Sequence, residues 1–238
     1  MNIFFVELTG LTASYRMPNS KNFHKTCEFP TKSSIVGLIG AAIGLDFKNA
    51  HDYFYDNDVK LCVTGKHNGI YSDLWRHTKT KSELQIVKNI IRREYLYEPH
   101  FEIYISCSDL TVLNDIRDAL KSPKFMLTLG NSDDIAKIVQ VSDIANYESL
   151  NIYTLNNIMI KGNITNDVKL DIDLKTTPII ETVMFPSLYN LVDDFTFNDN
   201  SSRVAKGGFT NYTGIKSVIK LNEPLDGYFV NNKNIIMW

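Results

Sequence analysis

The sequence of 238 residues contains few cysteines, and they lie far apart. Cys27, Cys62 and Cys107 are odd in number and form no Cys-x-x-Cys pair, so neither a disulfide framework nor a cysteine-rich metal site is predicted. The five histidines are also dispersed, without a His-Glu-x-x-His motif. We therefore expect no metal and no cofactor, and a reducing cytoplasm is the simplest location.

Long apolar runs are absent as well. The longest uncharged apolar stretch, from Ser33 to Leu45, is shorter than the about 20 residues that cross a bilayer, so no membrane partner is expected. The segment from Met1 to Leu8 has no basic residue and includes Glu7, so no signal peptide is expected. A composition of 44% hydrophobic and 22% charged residues is that of a folded protein.

Three familiar nucleotide-binding motifs are missing. Lys32-Ser33 lacks the preceding glycines of a phosphate-binding loop, and Pro30 interrupts that stretch. Gly37-Leu-Ile-Gly40 has the spacing of a KH-domain clamp, but its central residues are apolar and lie within a predicted helix. Phe101 and Tyr104 lie on a predicted strand without the basic, glycine-containing RNP1 signature, so base stacking on an open sheet is not expected.

The apolar pattern predicts an α+β, ferredoxin-like fold. Strands are predicted at Ile3 to Thr9, Val59 to Thr64, Phe101 to Cys107 and Lys124 to Leu129, and helices from Pro30 to about Gly44 and from Leu110 to Leu120. This βαββαβ order is RRM-like and carries a basic insertion at about 66–92. Residues 1–148 are predicted to form this domain, and residues 149–238 a smaller β-rich domain without a long helix.

Positive charge is concentrated in two segments, although the whole chain has a net charge of -2. Between Lys60 and Arg93 there are 8 Lys and Arg residues against 2 Asp and Glu residues. The first segment carries Tyr15, Arg16, Lys21, His24, Lys25 and Lys32, and the second carries Trp75, Arg76, His77, Lys79, Lys81, Lys88, Arg92 and Arg93. Cations mixed with aromatic rings suit single-stranded nucleic acid, because phosphates attract the cations and bases stack on the rings. A solvated basic face is the alternative interpretation.

The first predicted helix adds a second anion-binding feature. Lys32, Ser33 and Ser34 occupy its first turn, immediately after the first basic segment. Free backbone N–H groups at a helix N-terminus attract anions. This position favours a binding function over a merely solvated face.

Three segments carry a family resemblance. The run Phe29-Pro-Thr-Lys-Ser-Ser-Ile-Val-Gly-Leu-Ile-Gly-Ala-Ala-Ile-Gly44 resembles the first-helix signature of the fifth CRISPR-associated protein family, the RAMP-type subunit of Cascade. The segment from Arg92 to Ile105 resembles the entry to the third strand in type I-B members. Phe125 to Asp134 resembles the Leu-Gly-x-Ser element of that family. Together these segments cover roughly residues 1–140.

The resemblance implies a non-catalytic subunit that caps the 5' handle of crRNA in antiviral defence. Its ferredoxin-like palm would grip the handle with Tyr15, Arg16 and Lys21 after the first strand and with Ser33, Ser34 and Gly37 at the first helix. Lys66 to Lys88 would form a protruding thumb. Implied partners are crRNA, the seventh-family backbone subunit, the large subunit and, indirectly, target DNA, whose sequence is read by base pairing.

Two alternatives remain open at this stage. Type I-C members of the same family include a metal-independent endoribonuclease, for which Tyr15, His24 and Lys25 could supply acid, base and phosphate stabilisation. A ferredoxin-like small-molecule binder would instead have a closed apolar pocket and no affinity for RNA.

Overall fold

The computed structural model describes residues 1–20, 23–82, 85–170, 184–198 and 202–238. Within these ranges the helices are α1 (Lys32–Ile43), α2 (Phe47–Asp56) and α3 (Leu110–Lys121). The strands are β1 (Asn2–Thr9), β2 (Thr12–Ala13), β3 (Tyr15–Arg16), β4 (Phe23–His24), β5 (Thr26–Cys27), β6 (Lys60–Lys66), β7 (Gly69–Ser82), β8 (Gln85–Tyr97), β9 (His100–Ser106), β10 (Lys137–Val141), β11 (Ala145–Asn146), β12 (Leu150–Leu155), β13 (Ile158–Lys161), β14 (Val168–Leu170), β15 (Ser187–Leu191), β16 (Asp194–Phe197), β17 (Arg203–Lys206), β18 (Thr210–Ile215), β19 (Ile219–Val230) and β20 (Lys233–Ile235).

The largest sheet in the described part of the chain runs in the order β10-β1-β9-β6-β13-β18-β15, with β11 also paired to β1. Its neighbouring strands are antiparallel. Helices α1 and α2 lie between β1 and β6 in the chain, and α3 lies between β9 and β10. The molecule is thus a mixed α/β protein in which sheet predominates.

The prediction of the fourth strand at Lys124 to Leu129 was wrong. In the structure β10, at Lys137–Val141, occupies the sheet edge beside β1. Leu127 and Leu129 are buried, which imitates the alternation of a strand. Their backbone instead turns back on itself, because the Ala136 N–H donates to the Leu127 carbonyl at 2.9 Å and the chain reverses near Gly130.

Both faces of the central strands are buried. On β1, Phe4, Val6 and Leu8 face the core beneath the helices, whereas Ile3 and Phe5 face a second core. That second core is completed by residues of β12, β13, β18, β19 and β20. Strands covered on both faces are apolar at successive positions, which explains the run from Ile3 to Val6.

The covered faces remove the sheet as a surface for stacking bases. Phe101 lies in the first core and Tyr104 in the second, and both are completely buried. Neither ring is therefore accessible for base stacking of the RRM type.

Strands from both sides of residue 148 share the large sheet. Ile158 and Met159 on β13 pair with Thr64 and Val63 on β6. The division into domains at residues 148 and 149 stays a prediction, because a shared sheet describes packing and not independent folding.

Candidate nucleic-acid interface

A cleft of about 490 Å³ lies beside the N-terminus of α1, and we call it the α1 cleft. Five residues predicted for binding line it: Tyr15, Arg16, Ser33, Ser34 and Gly37. The other lining residues are Ser14, Thr31, Leu38, Ala41, Phe47, Met126, Thr128, Gly130, Asn131 and Arg203. The fold therefore brings the start of the first basic segment, the first helix and the loop after α3 to one place.

The floor of the cleft is a strip of small side chains on α1. Ser33, Gly37 and Ala41 are spaced by four residues and Ser34 is three residues before Gly37, so the four positions border one face of the helix. They are half-buried, whereas Ile35, Leu38 and Ile39 are packed into the core. One face of the helix is therefore left open to the cleft.

The two glycines of α1 differ in function. A Cβ on Gly40 would lie 2.5 Å from the Cβ of Ala50, so this glycine permits the close packing of α1 on α2. A Cβ on Gly37 would meet only the Phe47 ring, at 3.7 Å, which is ordinary contact. Gly37 therefore leaves space in the cleft and is not required by helix packing.

The N-terminus of α1 is capped without an acidic side chain. Thr31 is the N-cap, and its hydroxyl accepts a hydrogen bond from the Ser34 N–H at 3.3 Å. The Ser34 hydroxyl donates in turn to the Thr31 carbonyl at 2.7 Å. Since the first turn contains no carboxylate, its positive dipole end is not neutralised locally. Such a terminus suits an anionic ligand.

The opposite wall depends on Gly130. Its φ of 112° lies in the left-handed region, and a Cβ would lie 1.8 Å from the Ser14 carbonyl oxygen. The Ser14 N–H donates to the Leu129 carbonyl at 2.9 Å, which holds the two segments together. Only glycine fits this approach. The Leu-Gly-x-Ser element is thus part of the cleft wall, which the sequence interpretation had used for recognition but not for binding.

The described lining of the cleft contains cations but no carboxylate. Arg16 is exposed on β3, which pairs with β5, and Arg203 is exposed on β17. Hydroxyl and amide groups of Ser33, Thr128 and Asn131 complete the polar lining. Phosphate groups are recognised by this combination of guanidinium, hydroxyl and helix N-terminus.

Tyr15 contributes to the cleft wall although its side chain is buried. The residue is only 4% exposed, and its ring packs edge-on against Phe101 at 6.0 Å. Within the described residues, the buried hydroxyl has no hydrogen-bond partner. Burial and the nearby Asp134 carboxyl raise the pKa of Tyr15 well above its ordinary value. A hydroxyl so placed is unsuited to proton transfer at a bound ligand.

Strands β7 and β8 form a long antiparallel hairpin, in agreement with the predicted hairpin in this part of the chain. Described side chains along β7 from Tyr71 to Arg76 are exposed, and Leu74 is 73% exposed. Arg76 therefore lies in solvent. Lys21 and the side chains of His77, Lys79, Lys81 and Lys88 lie outside the described residues.

A basic and aromatic cluster lies where β4 pairs with this hairpin, well away from its tip, and we call this part the hairpin base; the cluster consists of His24, Trp75, Arg92 and Arg93. Strand β4 pairs with β8, so that His24 is opposite Arg93. The His24 and Trp75 rings are 6.1 Å apart, and the Arg93 guanidinium lies 5.1 Å from the centre of the Trp75 ring. Four predicted binding residues from two distant segments are thus neighbours.

The charge of Arg93 is already neutralised. Its Nε and Nη2 donate to the Asp73 carboxylate at 3.1 and 2.7 Å, which is a bidentate pair. This hydrogen bond raises the pKa of Arg93. Arg93 is therefore held as a structural cation, whereas Arg92 is exposed and stacks on Phe23 at 5.4 Å.

A buried ionic network links the start of the long hairpin to the C-terminal strands. Glu28 contacts His67 at 3.0 Å and accepts hydrogen bonds from Lys216, at 2.7 and 2.8 Å, and from Tyr189. Burial alone would raise the pKa of Glu28, but the hydrogen bonds from His67 and Lys216 lower it to about 2. The carboxylate thus remains ionised and fixes three segments.

Residues 4–205 match the family described as CRISPR-associated protein (Cas_Cas5). The chain belongs to this family. Family membership confirms the resemblance that was derived from the first helix and the Leu-Gly-x-Ser element. No curated protein matches the chain.

Two solved structures share the fold along nearly the whole Cas5-family chain. A chain of "CRISPR RNA-guided surveillance complex" is 14% identical with a TM-score of 0.54, over 93% of this chain and 91% of its own. "Crystal structure of a CRISPR protein from Archaeoglobus fulgidus" is 9% identical with a TM-score of 0.50, over 99% and 98%. At these identities the similarity shows the fold alone.

A third structure, "Crystal structure of Cas protein", is 22% identical with a TM-score of 0.39. The match covers 56% of this chain and 58% of that one, so the chain spans little more than half of that structure's length.

Nine of the predicted binding residues fall into two groups in this Cas5-family chain. Five line the α1 cleft, and four form the cluster at the base of the long hairpin. Lys25 is exposed between β4 and β5, and Lys32 is half-buried at the first turn of α1; neither lines the cleft. Glu94 connects the groups, because its carboxylate accepts from the Thr26 N–H at 3.2 Å and its carbonyl from the Ser14 hydroxyl.

Sequence reasoning missed Arg203 and Phe47 in the cleft. Phe47, His51 and Tyr55 are spaced by four residues, and this spacing places three rings on one face of α2. That pattern could have indicated α2 and an aromatic partner for it. Arg203, by contrast, is more than 150 positions after Phe47 in the chain, and nothing near Arg203 in the sequence indicates that it contacts Phe47.

Other expected features can be compared with the described residues. No helix in the described ranges is long and apolar enough to cross a membrane. Nor do these residues contain a group of three or more His, Cys, Asp or Glu side chains arranged to hold a metal ion.

Proposed function

We propose that this chain is the subunit of a type I-B CRISPR Cascade complex that binds and caps the repeat-derived 5' handle of crRNA. The observation that carries the proposal is the α1 cleft, which combines an uncompensated helix N-terminus, two exposed arginines and no carboxylate among its described lining residues. RNA is the polyanion that a Cas5-family chain is expected to meet.

In this proposal the β10-β1-β9-β6 part of the sheet with α1 and α3 forms a ferredoxin-like palm. The sheet order places the fourth strand beside the first and the third beside the second, which is the order of that fold. The long hairpin is the thumb, and it contacts the adjacent seventh-family backbone subunit and the large subunit. Exposed Leu74, Ile90 and Arg76 on this hairpin suit a protein partner as well as RNA.

The chain acts by binding and not by catalysis in this proposal. Metal-free RNA cleavage requires a base and an acid held within hydrogen-bond reach of the ribose and the leaving oxygen. The Tyr15 hydroxyl is buried beneath the cleft, and Lys25 lies in solvent on a short loop. An apolar small molecule is also a poor fit, because the cleft lining is rich in hydroxyl groups and arginine.

Gly37→Glu is the decisive test. A side chain at Gly37 has room to extend, and glutamate places a carboxylate where the RNA backbone would lie. Affinity for the handle RNA of the source genome, measured by fluorescence anisotropy, should fall at least about tenfold. Gly37→Gln is the matched control for side-chain size and should bind more tightly than Gly37→Glu. Equal affinity of Gly37→Glu and the natural chain would contradict the proposal.

A second measurement separates binding from catalysis. The purified chain is incubated with unprocessed repeat RNA, with and without EDTA, beside His24→Ala. Intact RNA in every sample is expected. Site-specific cleavage that disappears in His24→Ala would favour the type I-C endoribonuclease activity instead.

A further inference from the structure

The short hairpin formed by β16 and β17 is separate from the other sheets in the described part of the chain. Its strands pair antiparallel, with Phe197 opposite Arg203 and Phe195 opposite Ala205. It follows all of the sequence motifs by which the family was recognised. Those motifs therefore do not account for the position of the short hairpin on the molecule.

Aromatic contacts fix this short hairpin to α2. The Phe47 ring lies 5.7 Å from Phe195 and 6.2 Å from Phe197, and His51 lies 5.4 Å from Phe197. Asp194 adds a polar anchor, since one of its oxygens lies 3.1 Å from His51 Nε2. Its other oxygen lies 3.5 Å from Lys206 Nζ. The hairpin is thus docked on α2 through β16, and the Lys206–Asp194 pair ties β17 to that strand.

This docking carries Arg203 to the α1 cleft. The guanidinium lies 4.8 Å from the centre of the Phe47 ring and 5.2 Å from that of Phe195. Stacking on two rings orients the plane of the guanidinium while leaving its N–H groups at the edge. Phe47 and Arg203 both line the cleft, so this edge is available to a ligand there.

The charge of Arg203 is not neutralised by any carboxylate within the described residues. Arg93 and Arg117 differ in this respect, because each forms a close pair with an aspartate. An arginine that is oriented by rings, exposed and without a carboxylate partner in the described ranges can form a bidentate contact with a phosphate.

We propose that Arg203 is an RNA-phosphate contact in the α1 cleft, and that the short hairpin serves to hold it there. The proposal rests on the function proposed for the cleft. It names a phosphate group as the ligand of this residue, either an internal phosphodiester or a 5'-terminal phosphate. The hairpin then acts as a wall of the cleft that faces the N-terminus of α1.

The test is Arg203→Gln in the full chain, with handle RNA that carries either a 5' hydroxyl or a 5' phosphate. Loss of a charge-assisted contact should lower affinity about tenfold. Loss of one phosphate contact with single-stranded RNA should also reduce the slope of log K against log salt by about 0.7. Arg203→Lys should restore that slope, because it restores the charge.

Lys206→Gln is the matched control, since it removes one positive charge from the same strand. Lys206 contacts Asp194 and does not line the cleft. The RNA affinity and the salt slope of Lys206→Gln should therefore match those of the natural chain. A similar loss on both RNAs for Arg203→Gln identifies an internal phosphodiester, and a loss confined to the 5'-phosphorylated RNA identifies the terminal group.

Three results would overturn the inference. They are unchanged affinity in Arg203→Gln, an equal loss in Lys206→Gln, and failure of Arg203→Lys to restore the slope. If the natural chain itself does not bind the RNA, the proposed function fails instead, so the two failures are distinguishable. Thermal unfolding of each variant checks that the fold is intact.

Discussion

The long hairpin (β7 and β8) and the short hairpin (β16 and β17) each place an arginine on aromatic rings, but the two arginines differ in the charge that they can offer a ligand. On the long hairpin, Arg93 lies over Trp75 and Tyr95 and is paired with Asp73. On the short hairpin, Arg203 lies over Phe47 and Phe195 without a carboxylate among the described residues. Stacking determines where a guanidinium lies, and the carboxylate determines whether its charge is available to a ligand.

The hairpins also differ in how they are attached to the body. The long hairpin begins beside the Glu28 network, which is ionic and largely buried, whereas the short hairpin docks through rings on α2. Ionic attachments respond to pH, while aromatic attachments respond to the loss of contact area. The following changes are ordered from the largest expected effect to the smallest.

Glu28→Gln breaks the attachment of the long hairpin. His67 and Lys216 would lose their carboxylate partner, and we expect the free energy of unfolding at pH 7 to fall by about 2 kcal/mol. The pKa of Glu28 is lowered from 4.5 to about 2, so its contribution is complete above pH 4.5 and is lost as the pH falls towards 2. The difference in the free energy of unfolding between the natural chain and Glu28→Gln should therefore shrink as the pH falls from 4.5 towards 2.

Urea titrations at pH 7 and pH 3 measure this difference. Glu148→Gln, which removes the same charge from an exposed position, serves as the control. A difference for Glu28→Gln that does not depend on pH would contradict the ionic account.

Phe47→Ala breaks the attachment of the short hairpin. The half-buried ring contacts Phe195, Phe197 and Arg203, and its loss should cost about 1–2 kcal/mol, below the range for a fully buried Phe. Hydrogen exchange of β16 and β17 should accelerate, while exchange in β7 and β8 stays unchanged. Tyr55→Ala, on the same face of α2 but exposed, should show a smaller change. Equal acceleration in both hairpins would exclude separate attachment.

Asp73→Asn sharpens the comparison by releasing Arg93. Because the pair is near the surface, stability should change by less than about 1 kcal/mol. If RNA contacts the hairpin base, affinity should rise and the salt slope should steepen by about 0.7. Asp118→Asn releases Arg117 on α3 by the same change of charge and should leave RNA binding unaltered. No difference between the two variants would indicate that RNA does not reach the hairpin base.

Ala205→Glu adds a carboxylate near the arginine of the short hairpin, whereas Asp73→Asn removes one from the arginine of the long hairpin. Positions 203 and 205 share a face of β17, so the new carboxylate can reach Arg203 along the same strand, whereas Asp73 lies opposite Arg93 on the neighbouring strand. RNA affinity should fall about threefold, because an exposed pair compensates only part of the charge. Ala205→Gln, measured by the same binding assay, should retain the affinity of the natural chain.

The apolar pattern predicted most of the elements that frame the cleft. The predicted helix between Pro30 and Gly44 agrees with α1, because Thr31 and Gly44 are recognisable caps. The strand predicted at Lys124 to Leu129 was wrong, since burial of Leu127 and Leu129 arises from a turn and not from a sheet. A local apolar pattern indicates that a residue is buried, but it does not indicate which part of the chain covers that residue.

The candidate site was predictable only where it is local in the sequence. Ser33 and Ser34 follow from the start of α1, and Arg16 follows from the basic segment before it, whereas Gly37 was predicted only through the family resemblance. Arg203 reaches the cleft through ring contacts between two elements that are distant in the sequence. Such long-range contacts leave no local signal, so a structure is needed to find them.

The small side chains on the floor of the α1 cleft have a consequence for binding entropy. Ser33, Ser34, Gly37 and Ala41 have few or no rotamers to lose, and the helix backbone beneath them is already ordered. A ligand that settles there does not have to immobilise long side chains, each of which costs about 0.5–1.5 kcal/mol. Under the proposed function, the ordering cost therefore falls mainly on the RNA and on Arg16 and Arg203, so an RNA strand that is already ordered in its bound shape should bind most tightly.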